Sequence, residues 1–158
     1  MTVSRKLKEY LDVNGVDYEI LTHKAAFTAQ QVAAAQDVTG WQVAKTVALY
    51  CDGEFLMVVL QAPAYVDFDR IKEILVCDEA RLATESEMAK LFPGVELGAE
   101  SPFGNLFDLP VYVDKGLAEE REIVFNAGTH TETIRLKYED FSRLVGPRVV
   151  DIGKSAKV

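Results

Sequence analysis

One lysine lies inside a run of apolar residues that reads as a strand. Lys45 sits in the run VAKTVALYC, and Thr46 follows it directly. Strand alternation puts Lys45 on the face of the larger apolar residues Val47 and Leu49, so its ammonium must reach the edge of the core. Two readings are open. The stem packs on the core while the head stays in water, or the ammonium sits at a pocket mouth and binds an anion.

A loop rich in turn-forming residues is the second place where chemistry could occur. Gly98, Pro102 and Gly104 fall close together in the run GAESPFG. Tight turns of this kind expose backbone N–H groups that can hold a carbonyl oxygen or a phosphate. A plain surface loop is the equally simple alternative.

The third candidate is the run NAGTH, which follows a predicted strand. It places Asn126 and His130 at the carboxyl end of that strand or in the turn after it. His23 is the other histidine of the chain. No nucleophile elbow, metal-binding spacing or phosphate-binding loop accompanies these residues, so they indicate neither a catalytic triad nor nucleotide hydrolysis.

Length and composition bound what can position these residues. The chain has 158 residues, of which 49% are hydrophobic, and this predicts one globular domain over residues 1–158. No apolar run is long enough to cross a membrane, and no secretion signal is evident, so we expect a cytoplasmic protein. The net charge of −8 argues against an extensive nucleic-acid-binding surface. Most of the acidic excess falls in residues 52–122, and the two ends are neutral to weakly basic.

Periodicity and turn signals predict helices and strands in mixed order. Capping patterns start helices at Thr28 and Thr84, and Asp52-Gly53 is a strong hairpin signal. The predicted helices cover residues 4–13, the run after 28, 67–76, the run after 84, and 139–145. The predicted strands cover residues 16–22, 43–51, 54–62, 111–113, 122–126 and 133–137. We therefore predict an α+β fold, a mixed and largely antiparallel sheet flanked by helices.

The two cysteines end apolar runs and have no partner at metal-ligand spacing. Cys51 and Cys77 are each followed by an aspartate, which disfavours a reactive thiolate. We expect two half-buried free thiols in a reducing compartment.

Taken together, the three candidate sites resemble the YbaK/prolyl-tRNA-synthetase-associated domain family, the free-standing aminoacyl-tRNA deacylases. The resemblance spans about residues 16–145. It rests on His23-x-x-Ala-x-Thr28-Ala29, Gly40-x(4)-Lys45-Thr46, Gly98-x-x-x-Pro102, Asp114-x-x-Leu117 and Ala127-Gly128. The lysine–threonine pair combined with the GxxxP loop is more specific than either element alone.

The resemblance implies a trans-editing hydrolase without a metal or organic cofactor. Such enzymes cleave the ester of a small amino acid, such as alanine or cysteine, wrongly attached to proline tRNA. Lys45 would position the 3′ end, and the backbone between Gly98 and Pro102 would contact the ester carbonyl. An aminoacyl ester is already activated, so positioning and an oxyanion site suffice without a triad.

The same resemblance assigns the remaining site residues. Lys45, Gly98 and Pro102 would form the catalytic set. The substrate-binding set would be His23, Thr28, Thr46, Ser101, Phe103, Gly104, Asn126, Gly128 and His130. The role of His130 is a hypothesis: it lines the aminoacyl pocket or orients a group of the tRNA end.

The expected partner is mischarged tRNA, with a synthetase or elongation factor as a further partner and no membrane or DNA. Because only the 3′ end must enter a pocket, the acidic net charge is compatible with this reading. Binding to the tRNA body should be weak, with a shallow salt dependence. Two alternatives stay open: a non-catalytic module that binds an aminoacyl or tRNA end, and a small-ester hydrolase.

Overall fold

A computed structural model describes residues 5–22 and 40–155. Five helices lie in these ranges: α1 Arg5–Val13, α2 Phe68–Leu75, α3 Glu85–Leu91, α4 Lys115–Ala118 and α5 Tyr138–Val145. The ten strands of the same ranges are β1 Tyr18–Thr22, β2 Ala44–Cys51, β3 Glu54–Gln61, β4 Ala64–Val66, β5 Ala80–Leu82, β6 Val111–Asp114, β7 Glu122–Asn126, β8 Glu132–Lys137, β9 Arg148–Val150 and β10 Gly153–Ser155. Short 3₁₀ turns cover Gly40–Gln42 and Gly104–Phe107.

The strands form a mixed, largely antiparallel arrangement, as the sequence predicts. The largest sheet has the order β5-β2-β3-β6-β9, and β6 runs parallel to both of its neighbours. A second sheet has the order β1-β8-β7, and β4 pairs with β10 in a two-stranded ribbon. A single parallel bridge between Val43 and Val124 brings the start of β2 against β7. The two larger sheets therefore meet at the start of β2, close to Lys45.

The hairpin of β2 and β3 confirms the Asp52-Gly53 signal. Both turn residues have positive φ, 48° and 95°, which is the backbone that such a two-residue hairpin turn requires. The register pairs Lys45 with Leu60 at one end and Cys51 with Glu54 at the other. Lys45 thus lies at the open end of the hairpin, far along the strands from the turn.

Both faces of β2 are covered by apolar residues, so this strand does not have one buried and one solvent-exposed face. Ala44 and Ala48 belong to the larger apolar cluster between the sheets, whereas Leu49 belongs to a second, smaller cluster beneath α2. Val47 packs against the smaller cluster too. Strand alternation therefore sends the Lys45 side chain to the smaller cluster and the Thr46 side chain to the larger one.

The helix caps follow the predicted chemistry where the structure describes them. The Thr84 hydroxyl accepts the Glu87 N–H and the Glu87 carboxylate accepts the Thr84 N–H, a reciprocal capping box. Asp67 caps α2. The helix predicted after Thr28 lies outside the described residues. Among those residues no helix is long and apolar enough to span a membrane.

Two expectations from the sequence need correction. Cys51 and Cys77 form a disulfide rather than two free thiols, because the end of β2 and the residue after the C-cap of α2 lie side by side. The strands β4, β5, β9 and β10 are also absent from the sequence prediction. Each is three residues long, too short to show an alternating pattern.

Candidate functional site

Lys45 lies with its ammonium at the open end of the hairpin and half buried. Its Nζ donates a hydrogen bond to the Ala64 carbonyl, and it sits 5.5 Å from the centre of the Tyr65 ring. Partial burial lowers the pKa of Lys45 below its ordinary value, since loss of water disfavours the ammonium form. In the described part of the chain no carboxylate lies within ion-pair distance of this ammonium. The charge is therefore held by a carbonyl and a ring, and remains able to meet an anionic ligand.

Near the start of β2 lie groups that the sequence motifs did not indicate, among them Gln61, the register partner of Ala44. Gln61 donates from Nε2 to the Trp41 carbonyl at 3.0 Å and approaches a Glu120 carboxylate oxygen at 3.4 Å. Trp41 and Tyr65 are about half exposed. The sequence does not predict this grouping, because Trp41, Gln61 and Tyr65 form no recognisable motif along the chain.

Two predicted binding residues carry buried oxygens without a hydrogen-bond partner. They are the Thr46 hydroxyl and the Asn126 side-chain carbonyl, and neither finds a donor among the described residues. Lys45 and Asn126 are each two residues beyond the bridge of Val43 with Val124, on chains that run in the same direction there. The bridge therefore brings the lysine strand and the NAGTH turn to one region. Buried polar groups are normally paired, so these two oxygens are candidates for a ligand contact, as are five other unpaired buried atoms of the described residues.

The loop of residues 98–102 uses most of its own amides internally. The N–H of Gly98 donates to the Glu100 carboxylate at 2.8 Å, and the N–H of Ala99 donates to the Glu96 carbonyl at 2.9 Å. Glu100 also accepts its own backbone N–H. Pro102 has no N–H, which leaves the Ser101 N–H as the loop donor without an acceptor among the described residues. Contact of the Gly98–Pro102 backbone with the ester carbonyl stays a prediction, and the Ser101 N–H is its remaining candidate donor.

Glu100 is a buried carboxylate that no motif indicated. Only 5% of its surface is exposed. Burial raises the pKa of Glu100, while the N–H groups of Gly98 and Glu100 itself, and the nearby His130, act in the opposite direction. Its carboxylate is the acceptor that closes the turn at Gly98, where φ is +88°. Glu100 therefore fixes the backbone of this loop from within.

His130 holds the same loop from the neighbouring turn, residues 126–130. Its Nε2 lies 2.7 Å from the Leu97 carbonyl, so Nε2 carries the proton and donates it. Its backbone N–H donates to the Glu96 carboxylate at 2.7 Å. The ring is so close to Gly98 that an added Cβ would lie 3.4 Å from the ring carbon Cε1. His130 is buried, and this placement makes it a support of the loop.

Gly128 adds a backbone connection between the two segments. Its N–H donates to the Ala99 carbonyl, and its carbonyl accepts the Glu96 N–H, both at 3.0 Å. The φ of Gly128 is +99°, a conformation that favours glycine. The structure thus brings together two segments that the sequence presents as separate candidates.

Phe103 and Gly104 anchor the loop in the core. The Phe103 ring is fully buried and packs against Tyr10, Phe125 and Phe141. A Cβ on Gly104 would lie only 2.6 Å from a methyl of Val111. Such positions favour an anchoring role over substrate contact. The buried Ser101 hydroxyl accepts the Phe103 N–H at 3.4 Å, and Pro102 is buried as well. His23 and Thr28 lie outside the described residues.

Comparison with known proteins agrees with this fold and identifies the family. A sequence profile of the aminoacyl-tRNA editing domain family matches residues 23–144. The chain therefore belongs to the aminoacyl-tRNA editing domain family, a class of deacylases. The family that the sequence motifs resemble is thereby confirmed.

Named relatives and solved structures point the same way. The chain is 27% identical over 157 residues to the multifunctional Ser/Thr-tRNA deacylase ProXp-y of Escherichia coli K12, covering 96% of this chain and 93% of that protein. It is 28% identical over 142 residues to a proline–tRNA ligase of Dehalococcoides mccartyi, covering 89% of this chain and 24% of the ligase. A solved protein assigned as a trans-editing enzyme for prolyl-tRNA synthetase has the same fold, with a TM-score of 0.83 at 21% identity over 98% of this chain and all of that one.

Proposed function

We propose that this protein hydrolyses the ester of a mischarged tRNA in trans, releasing a small amino acid. The observation that carries the proposal is the half-buried Lys45 ammonium, which no carboxylate neutralises among the described residues, at the point where β2 meets β7. Membership of the editing family supplies the reaction class. The site then has to hold the 3′ end and an ester carbonyl, not to supply a strong nucleophile.

Lys45 acts on the nucleotide end of the substrate. Its ammonium meets the phosphate or ribose oxygens of the terminal adenosine and keeps the ester in one orientation. Burial strengthens this interaction because less water screens it. The Ala64 carbonyl restrains the ammonium before substrate arrives, which reduces the reorganisation that binding requires.

The 98–102 loop acts on the ester. The Ser101 N–H is the donor we assign to the developing oxyanion, since the amides of Gly98 and Ala99 already have acceptors. Glu100 and His130 hold the backbone that aims this N–H. Preorganised donors of this kind contribute on the order of 10²–10³ in rate. The attacking water would be oriented by the ribose hydroxyl of the substrate, a step that a 2′-deoxy terminal adenosine would abolish.

The substrate is a small amino acid, and alanine or cysteine on proline tRNA is the substrate the motifs imply. The Escherichia coli relative is named for serine and threonine, so those residues belong to the same size class to be tested. The unpaired oxygens of Thr46 and Asn126 could accept a hydroxyl or ammonium proton of such a group. Larger residues are excluded sterically, and each added methylene costs about 1–3 kcal/mol in a filled pocket.

The decisive experiment is a hydrolysis panel. Proline tRNA and unrelated tRNAs charged with alanine, cysteine, serine, threonine or proline are incubated with the protein, and released amino acid is measured. We expect release of one or more small residues and little release of proline. No release from any charged tRNA, with tight binding of the 3′ end, would favour the non-catalytic binding module.

A competition arm separates the small-ester hydrolase from a tRNA enzyme. Excess uncharged tRNA is added to a reaction with a free amino-acid ester. A tRNA enzyme is inhibited, since both ligands share the Lys45 end of the site. Unimpeded ester hydrolysis would contradict the proposed substrate class. A synthetase or elongation factor as delivery partner belongs to this proposal, and its addition should raise the rate on tRNA only.

A further inference from the structure

Two aromatic side chains near the start of β2 stand exposed, unlike most aromatic rings of the described chain. Trp41 is 47% exposed and Tyr65 is 56% exposed, whereas Phe103, Phe125 and Phe141 are fully buried. Large apolar groups left in water at one place usually mark a binding surface.

The exposed rings are tied to the lysine through neighbouring backbone. Trp41 lies in the short turn before β2, and its carbonyl is held by Gln61 at 3.0 Å. The same turn packs on Pro63, because an added Cβ on Gly40 would be 3.4 Å from a ring carbon of that proline. Pro63 directly precedes β4, the strand that carries Tyr65. Trp41 and Tyr65 therefore flank the same short segment.

Two cations share the surface with Tyr65. Lys45 Nζ lies 5.5 Å from the centre of the Tyr65 ring. Lys154 on β10 is the register partner of Tyr65 on β4, so the two side chains point to the same side of the ribbon. Lys154 is exposed. In the described part of the chain Lys154 forms no ion pair.

A buried carboxylate fixes the strand that brings Lys154 to this place. Asp114 is 7% exposed and accepts the N–H groups of Ile152 at 3.0 Å and Gly153 at 2.8 Å. These bonds seat β10 against β4. The Asp114-x-x-Leu117 motif thereby acts on the ribbon next to Lys45.

We propose that Tyr65, Trp41 and Lys154 form a stacking platform for the unpaired nucleotides at the 3′ end of tRNA. The proposal rests on the function proposed above and extends it to the nucleotides that precede the aminoacylated one. Bases stack on exposed aromatic faces, and lysines beside them meet the intervening phosphates, which is how single strands are held without sequence reading. An acidic protein needs such a local patch, since its surface as a whole repels nucleic acid.

The test uses Trp41, which is the single tryptophan of the chain. The probe is an uncharged RNA minihelix with a single-stranded C-C-A 3′ end, and the reference probe is the same helix with a blunt end. Quenching of Trp41 emission and fluorescence anisotropy of the labelled RNA both report binding. Tyr65→Ala, Tyr65→Phe and Lys154→Gln are compared with Leu82→Ala, a residue of β5 that is equally exposed at 56%.

We expect the C-C-A probe to quench Trp41 and the blunt probe to leave its emission unchanged. Loss of one base–aromatic stack raises the Kd about five- to 150-fold in Tyr65→Ala, and Tyr65→Phe recovers most of that loss. Lys154→Gln weakens binding and makes its salt dependence shallower, and Leu82→Ala does neither. Equal binding of the two probes, or a Tyr65→Ala Kd equal to that of wild type, overturns the platform.

The experiment distinguishes a failure of the platform from a failure of the proposed deacylase activity. If mischarged tRNA is hydrolysed with the same KM by wild type and Tyr65→Ala, the reaction stands and the platform is wrong. If no charged tRNA is hydrolysed but the C-C-A probe binds through Tyr65, the platform is supported and the proposed deacylase activity is wrong. Binding of an unstructured protein in preference to RNA would contradict the platform as well.

Discussion

The two ends of the β2–β3 hairpin are built from the same strands but treat their polar groups in opposite ways. At the turn end, the Asp52 carboxylate accepts the N–H groups of Asp78 and Glu79 at 2.9 and 2.8 Å. Arg81 and Glu87 form a paired double hydrogen bond at 2.9 and 3.0 Å, and the Cys51–Cys77 disulfide joins β2 to the end of α2. Every one of these groups finds its partner inside the protein.

At the lysine end, the Lys45 ammonium has no carboxylate partner among the described residues. The Lys45 ammonium contacts only the Ala64 carbonyl and the Tyr65 ring among the contacts described above. The Thr46 hydroxyl lacks a hydrogen-bond partner among the described residues. A cleft of about 290 Å³ lies at the turn end, and its lining includes Asp52 and Glu54 and no lysine or arginine. We propose the lysine end as the site because its half-buried ammonium has no carboxylate partner among the described residues.

The sharpest way to break this comparison is to remove the lysine. Lys45→Ala should lower single-turnover deacylation by about 10²-fold or more, because an ester that is no longer held in one orientation misses the reacting geometry. Lys45→Arg should not restore it, because the larger planar guanidinium cannot occupy the place of a compact ammonium. Lys72→Ala on α2 is the matched control. Circular dichroism must show all variants folded, and wild-type turnover by folded Lys45→Ala would refute the assignment.

The second prediction concerns the carboxylate inside the 98–102 loop. Glu100→Ala removes the acceptor of the Gly98 N–H, and a lost buried hydrogen bond of about 1–3 kcal/mol corresponds to roughly five- to 150-fold in rate. Glu100→Gln keeps an acceptor oxygen and should recover most of the rate. The loss should appear in kcat rather than KM, since the loop acts on the ester. Equal losses in Gln and Ala variants would show that the charge, not the acceptor, matters.

The same residue predicts a pH dependence of stability. The pKa of Glu100 in the folded protein lies above its ordinary value of 4.5 because of burial. The folded state therefore binds the proton more tightly than the unfolded chain. The free energy of unfolding should fall as pH rises from about 4.5 through the raised pKa. Urea unfolding across this range should show a smaller decrease in Glu100→Gln than in wild type.

The smallest expected effect on catalysis lies at the turn end. The double variant Cys51→Ser with Cys77→Ser should lower the free energy of unfolding by about 3 kcal/mol, through the entropy of the opened loop. Deacylation should change by less than about twofold, because distant sites act independently. A large loss of rate in a folded double variant would erase the distinction between the two ends.

Local signals predicted the elements that flank the site and missed what connects them. Asp52-Gly53 and the Thr84 capping box act within a few residues, so the sequence contains their whole explanation. The contacts of His130 with Leu97 and Glu96 span more than thirty positions of chain. No periodicity reports such a contact. The resemblance indicated both segments without showing that one supports the other.

The disulfide and the burial of Glu100 are two further features that depend on tertiary packing and could not be predicted from the sequence. A free thiol and a paired cysteine look alike in sequence, and only the packing of α2 against β2 joins Cys51 to Cys77. Glu100 stands at a position between Gly98 and Pro102 that the motif leaves unspecified, where a carboxylate side chain is expected to be solvated. Its burial follows from the turn folding back on its own amide, which is a tertiary result.

The most direct test of the account is to find which end of the hairpin the tRNA touches. A minihelix that ends in 8-azidoadenosine is photo-crosslinked to the protein, and the modified peptide is mapped by mass spectrometry. We expect adducts on the segment from Trp41 to Lys45 or on Tyr65, and their loss in excess unlabelled C-C-A minihelix. Adducts that map instead to the segment around Asp52 and Cys77, and that compete in the same way, would contradict the assignment of the site to the lysine end.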